Sequence, residues 1–201
     1  MVTYGRTGPV ELWPDGNPDQ ARLIAGGEGV SSAILSPDHA WAASSPYPEK
    51  DIRLWNAHTG NTTGAIGLDR VAQAAFSPDG RWLMTSTDIE YRLWQVGSWR
   101  PASRQPAHLV GRAYGTIKFT ADGRHVVVGQ ADDACQLLTL DNLGELVTVT
   151  PPEPLLPAAT VLSADGQCLY ILGSQGRTFA WDFTELRREL AKLGLDWKES
   201  R

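Results

Sequence analysis

The sequence predicts an all-β protein assembled from repeated four-stranded units, and three observations carry that expectation. Short runs in which apolar and polar residues alternate, the period of a half-buried strand, are separated by tight-turn residues. One such turn recurs as Ser36-Pro37-Asp38-His39, Ser77-Pro78-Asp79-Gly80, Thr120-Ala121-Asp122-Gly123 and Ser163-Ala164-Asp165-Gly166, spaced 41, 43 and 43 residues apart. A second marker, Leu-Trp or a variant of it, falls at Trp13, Trp55, Trp94, Leu138 and Trp181, spaced 42, 39, 44 and 43. Two independent markers that keep one period define a repeat architecture.

The stretch from Val71 to Gln95 shows one unit most plainly, as three short strands. In the turn between the first two, Pro78 presets φ, Asp79 can hydrogen-bond the backbone two residues on, and Gly80 takes a left-handed position without steric cost. Tyr91-Arg92-Leu93-Trp94 ends the third strand with a large ring that needs burial. Three strands alone do not provide it, so a neighbouring sheet is required, and the repeat supplies one.

This period, four strands per unit and a [Ser/Thr]-[Pro/Ala]-Asp-Gly turn followed by a Leu-Trp strand resemble the WD40 β-propeller family, from Met1 to about Phe183. Only Trp181-Asp182 is the literal Trp-Asp pair; Trp55-Asn56, Trp94-Gln95 and Leu138-Thr139 depart from it. The family's Gly-His pair is replaced by Gly26-Gly27-Glu28, Gly67-Leu68-Asp69 and Gly111-Arg112-Ala113, so its internal Ser/Thr-His-Asp-Trp network is not expected as such. The pattern looks like a looser, bacterial type. The resemblance implies a WD40-like β-propeller of four full or nearly full blades plus a partial N-terminal blade over 1–183, and a C-terminal helix and tail over 184–201.

Composition narrows the function classes. The chain has 201 residues, 20 Gly and 13 Pro, in keeping with a turn-rich β protein. A net charge of −5 argues against a nucleic-acid surface, which needs clustered Lys and Arg. No run reaches the ~18 apolar residues of a membrane span, and Met1-Val2-Thr3-Tyr4-Gly5 lacks the regions of a signal peptide. A cytoplasmic location is expected. Cys135 and Cys168 read as buried free thiols rather than a disulfide.

Taken in order, Met1 to Gly5, Pro9 to Trp13 and Gln20 to Ala25 match the second, third and fourth strands of a unit, and inner strands of four further units fall near Val30–Ser36, Val71–Ser77, Tyr114–Thr120 and Ala158–Ser163. The loop Ser45-Pro46-Tyr47-Pro48-Glu49-Lys50 holds Tyr47 between two prolines. A rigid aromatic loses little entropy when a partner buries it, so Tyr47 is the first contact candidate, against the alternative that it packs on its own blade. Ser98 to Pro106 occupies an outer strand, where prolines deter edge-to-edge pairing; Trp99 and Arg100 there are read as structural or as a side patch. Asp88 and Asp132-Asp133 precede third strands, where the resemblance implies that an Asp orders the turn through backbone hydrogen bonds, against the alternative of an exposed polar contact; no spacing there suits a Ca²⁺ site. Pro151 to Pro157 reads as a stiff connector. After Trp181 the chain turns helical, capped by Asp182 or Thr184, with a stripe of Leu186, Leu190 and Leu193 and a Schellman closure at Gly194. Trp197 is expected to anchor the tail.

A seven-bladed ring needs about 300 residues. The expectation is therefore an open array of nearly five blades, the C-terminal part of a larger propeller or one half of an assembly. Its open blade ends would then allow self-association.

No catalytic constellation is legible. His39, His58, His108 and His125 lie on turns or strand starts without metal-ligand spacing, Gly27-Glu28-Gly29 lacks the third Gly of a dinucleotide loop, and no nucleophile elbow or Walker loop is present. No catalytic residue, cofactor or metal is expected. The leading reading is a protein-binding scaffold, within a larger bacterial signalling or regulatory protein, whose candidate contacts are Tyr47, Lys50, Arg70, Asp88, Arg112 and Tyr114. The alternatives are a propeller enzyme or ligand sensor, and a truncated fragment without independent function.

Overall fold

The computed structural model describes residues 2–3, 10–13, 19, 22–25, 30–46, 50–70, 72–107, 116–129, 134–153, 157–173 and 176–196. The chain divides into two compact units, Met1–Gly115 and Thr116–Arg201.

The first unit holds three antiparallel sheets. The first contains β1 (Val2–Thr3), β2 (Val10–Leu12) and β3 (Arg22–Ala25). The second contains β4 (Val30–Leu35), β5 (Trp41–Pro46), β6 (Asp51–Asn56) and β7 (Thr62–Gly67). The third contains β8 (Gln73–Phe76), β9 (Trp82–Ser86), β10 (Glu90–Gln95) and β11 (Pro101–Pro106). In the second unit, β12 (Ile117–Phe119), β13 (His125–Gly129), β14 (Cys135–Thr139) and β15 (Glu145–Val149) form the fourth sheet. The fifth comprises β16 (Pro157–Leu162), β17 (Cys168–Gly173) and β18 (Thr178–Asp182), and is followed by the helix α1 (Phe183–Lys192). Within each sheet the strands pair in chain order. Pro157 opens β16 opposite Gly173 rather than belonging to a connector; the first position of a strand tolerates a proline.

The repeated turn has one construction in all four copies. The hydroxyl of Ser36, Ser77, Thr120 or Ser163 donates to the Asp two residues on, at 2.5–2.6 Å. That carboxylate also accepts the amide of Ala40, Arg81, Arg124 or Gln167 at 3.0–3.1 Å. The hydroxyl oxygen in turn accepts the amide that opens the next strand, from Trp41, Trp82, His125 or Cys168, at 2.8–3.1 Å. These donors hold the four carboxyls below the ordinary carboxylate range. At Asp38 and Asp165 the Ser hydroxyl is the largest cause. At Asp79 and Asp122 burial pushes upward, and the hydroxyl and amide bonds together outweigh it.

The turns between third and fourth strands place a left-handed residue four positions after the strand residue that opens them, at Gly60 (φ 75°), Trp99 (φ 54°) and Leu143 (φ 57°). Glycine suits such a backbone, and the two bulky residues hold it through packing. Leu143 is fully buried, and the Trp99 ring meets Trp41 edge-on at 5.2 Å between centroids. Trp99 therefore ties the third sheet to the second, the structural of its two readings.

Within each unit, sheet packs on sheet. Val10 of the first sheet clusters with Ala42 and Trp55 of the second. Ala43, Ile52, Leu54 and Ile66 of the second cluster with Leu83 and Trp94 of the third. In the second unit, Val127, Cys135, Leu137 and Val149 join Leu169 and Ile171 of the fifth sheet and Phe183 of the helix.

Asp182, not Thr184, caps the helix, accepting from the amides of Thr184 and Glu185 at 2.9 and 3.0 Å. Its C-terminus closes as a Schellman motif, with the Leu195 amide on the Leu190 carbonyl, the Gly194 amide on Ala191 and Gly194 at φ 72°. The expected stripe is shorter than its spacing suggests. Phe183 and Leu186 face the core, whereas Leu193 is exposed because it is the C-cap, where the chain has left the helical path. Both cysteines are free thiols, but only Cys135 is buried; Cys168 is half-exposed on the open side of its strand. Trp197, His108, Asp132 and Asp133 lie outside the described residues.

Candidate functional site

Consecutive antiparallel strands alternate their connections between two ends of a sheet. The links from second to third strand, and from a fourth strand to the next sheet, therefore share one end. In the first unit that end carries Lys50, before β6, Arg70, between β7 and β8, and Asp88, between β9 and β10. Tyr47, Arg112 and Tyr114, the other expected contacts, lie outside the described residues.

Arg70 and Asp88, 18 residues apart in sequence, meet in an ion pair at 2.5 Å with both side chains substantially exposed. The backbone on either side of Arg70 is fixed. Leu68 packs against the core shared by the second and third sheets, Asp69 turns the chain at φ 54°, and Ala72 is buried. Lys50 is exposed beside Asp51, which pairs in register with Gly67 at the end of β7.

The turn that presents Asp88 is ordered by its neighbour. The buried Thr87 hydroxyl accepts the amides of Glu90 at 3.1 Å and Ile89 at 3.4 Å, and the Thr87 amide donates to the Glu90 carbonyl at 2.9 Å. The expectation that Asp88 orders this turn is thereby corrected. Once Thr87 has satisfied the backbone donors, the Asp88 carboxylate is left to reach Arg70. Ile89 stands half exposed at the tip, its carbonyl accepting the Ala107 amide at 2.8 Å. An apolar side chain held outward on a tethered turn beside an ion pair forms a surface that a partner can bury at small entropic cost.

Beneath the tip a polar ladder runs into the sheet. Glu90 pairs with Arg92, and the Arg92 guanidinium lies 5.2 Å from the Trp94 ring centre. The Trp94 indole N–H donates at 3.0 Å to the Thr85 hydroxyl. Trp55 repeats the last step, donating at 3.0 Å to Ser44 in the second sheet. Thr87, Ile89, Glu90 and Arg92 were missed as site residues. The signal for the last two was the i, i+2, i+4 spacing of Glu90, Arg92 and Trp94, which puts all three on one side of a strand.

Among the described residues, no group of three or more His, Cys, Asp and Glu side chains converges as a metal site. No described helix is long and apolar enough to cross a membrane.

Blade-like antiparallel sheets repeated along the chain, four of them with the same hydroxyl–aspartate turn between their first two strands, are consistent with a WD40-like propeller. Residues 59–95, which include Arg70, Asp88, the ladder and Trp94, match the family model of the WD domain, G-beta repeat. That match supports a WD40 repeat over residues 59–95. WD40 repeats generally form non-catalytic scaffolds that mediate protein–protein interaction. No curated protein matches the chain.

Proposed function

We propose that this protein is a non-enzymatic, cytoplasmic scaffold that binds a protein partner through the sheet end carrying Lys50, Arg70, Asp88 and Ile89. Tyr47, Arg112 and Tyr114 are kept as further contact candidates on the sequence reading alone. One observation carries the reading: residues of two separate connections meet as an exposed ion pair beside an outward isoleucine, on backbone held by buried anchors. The role within a larger bacterial signalling or regulatory protein is supported by the resemblance of the repeats alone.

The reading is tested by comparing the proteins captured from the source cell by the wild type, by an Arg70→Glu/Ile89→Asp variant and by Arg81→Ala, which alters the opposite sheet end. The exposed Arg70 pair contributes only about 0–1 kcal/mol to stability, so the double variant stays folded. It is expected to lose the captured species at least tenfold while Arg81→Ala keeps them. Equal capture by all three would sink the assignment of this end.

A further inference from the structure

Three of the four repeated turns carry an Asp-Gly bond, Asp79-Gly80, Asp122-Gly123 and Asp165-Gly166, and the fourth carries Asp38-His39. An Asp-Gly bond has a reaction of its own, because no side chain shields the glycine amide from the aspartate carboxyl. The amide nitrogen attacks Cγ, the N–Cγ bond forms, and the carboxyl hydroxyl leaves with the amide proton as water. Water then adds to the α-carbonyl of the resulting succinimide and breaks that carbon's bond to nitrogen. The main chain afterwards runs through the former side chain as isoaspartate, one methylene longer. One water leaves and one returns, so no other reactant is needed.

The turn opposes each part of that step. The attacking nitrogens are engaged, since the amides of Gly80, Gly123 and Gly166 donate to the carbonyls of Ser77, Thr120 and Ser163, each at 2.9 Å. The carboxyl is engaged as well. Asp165 accepts the Ser163 hydroxyl at 2.5 Å and the Gln167 amide at 3.0 Å, and Asp79 and Asp122 are held by the equivalent pairs. Donors of this kind favour the ionised carboxylate, which is a poor electrophile. The Ser163 hydroxyl also accepts the Cys168 amide at 2.8 Å, so it fastens the carboxyl to the first residue of β17. One hydroxyl per turn therefore joins the reactive side chain to the sheet.

The fifth sheet shows what the conversion would undo. Asp165 is exposed, whereas Gly166 beside it is buried at φ 72°. A Cβ on Gly166 would stand 3.1 Å from both Cβ and Cγ2 of Thr120, the hydroxyl residue of the same turn in the fourth sheet. Another methylene in the main chain at this point displaces Gly166 from Thr120 and carries the carboxylate away from Ser163.

We propose that Asp79, Asp122 and Asp165 are latent isoaspartate sites, kept unreactive by the hydroxyls of Ser77, Thr120 and Ser163 and converted while the turn stands open. Each conversion prevents the turn from closing again as before, so isoaspartate accumulates as a permanent record of time spent open. The inference is independent of the partner surface assigned above.

The test is ageing of the whole chain at one mildly acidic pH, folded and in urea, with isoaspartate quantified at each position by peptide mapping and electron-transfer mass spectrometry. In urea the three Asp-Gly positions are expected to convert at similar rates, and Asp38 far more slowly because His39 carries a side chain. In the folded wild type the three are expected to be slower than in urea by roughly tenfold or more, because a hydrogen bond to a charged group must break first. Ser163→Ala is expected to raise conversion at Asp165 roughly tenfold while Asp79 in the same molecule keeps its folded rate. Ser163→Thr, which copies Thr120, is expected to keep the wild-type rate. Ser77→Ala, in the other unit, is expected to raise Asp79 and spare Asp165, and it poses the same question should Ser163→Ala fail to fold; far-UV circular dichroism reports folding. A wild type that converts as fast folded as in urea overturns the proposal. So does a folded Ser163→Ala or Ser77→Ala chain whose neighbouring aspartate keeps the wild-type rate.

Discussion

The third and fourth sheets fill one structural position with opposite chemistry. In the third, Trp94 lies buried at the end of the third strand and donates its indole N–H to Thr85, two residues beyond its register partner on the second strand. In the fourth, Leu138 replaces the tryptophan and Val128 stands where the hydroxyl was, leaving hydrocarbon against hydrocarbon. The second sheet follows the third, with Trp55 and Ser44. A large ring with a polar edge demands a buried acceptor, and removing both together is as sound a solution as keeping both. The repeat therefore constrains pairs of residues rather than single ones.

The comparison is broken most strongly by deleting the large partner. Trp94→Ala should cost about 3–5 kcal/mol and Leu138→Ala about 2–5, by lost burial and the cavity left behind, measured as shifts in urea unfolding midpoints. Equal, negligible effects would mean that the sheet interfaces do not carry stability. Next come changes that split a pair. Thr85→Val leaves the indole donor of Trp94 buried without an acceptor and should cost about 1–3 kcal/mol, whereas Thr85→Ser keeps the acceptor and should cost less. If Thr85→Val matched the wild type, the hydrogen bond would have no net worth.

The smallest effect sharpens the comparison by touching a feature both sheets share, the hydroxyl–aspartate turn. The carboxyls of Asp79 and Asp122 are held below the ordinary range in the folded protein. Their contribution is therefore complete above the unfolded-state pKa, near 3.8, and is lost as pH falls through the lower folded values. Urea midpoints followed downward from pH 5 should fall in the wild type and fall less steeply in Asp79→Asn and Asp122→Asn. Parallel slopes would show that these turns contribute no acid sensitivity, and unequal slopes for the two variants would show that the third and fourth sheets differ here too.

Much of this was legible because it is local. A hydroxyl two residues before an aspartate and a left-handed residue directly after it, Gly in three copies and His39 in the fourth, contain the whole turn, so four copies could be placed from sequence alone. The strand ending in Leu-Trp was equally plain. What was not legible depended on partners far along the chain. Thr87 and Asp88 are both able to order a turn, and only the presence of Arg70 explains why the first does so. Trp99 occupies a left-handed position that sequence reserves for glycine, since the compensating contact, Trp41, sits in another sheet. Leu193 continues the helical spacing of Leu186 and Leu190, but the Schellman closure ends the helix before the stripe does. At the candidate site, the sequence placed Arg70 and Asp88 on connections of one end without revealing that they meet.

The edge-on pair of Trp41 and Trp99 gives the molecule a built-in optical gauge. Two indoles at that separation couple their electronic transitions, and the resulting paired bands in circular dichroism vanish when the rings part. Amide bands report strand formation, whereas this signal reports whether the second and third sheets have docked. Following both during refolding distinguishes a blade that folds alone and docks afterwards from one that takes shape only against its neighbour.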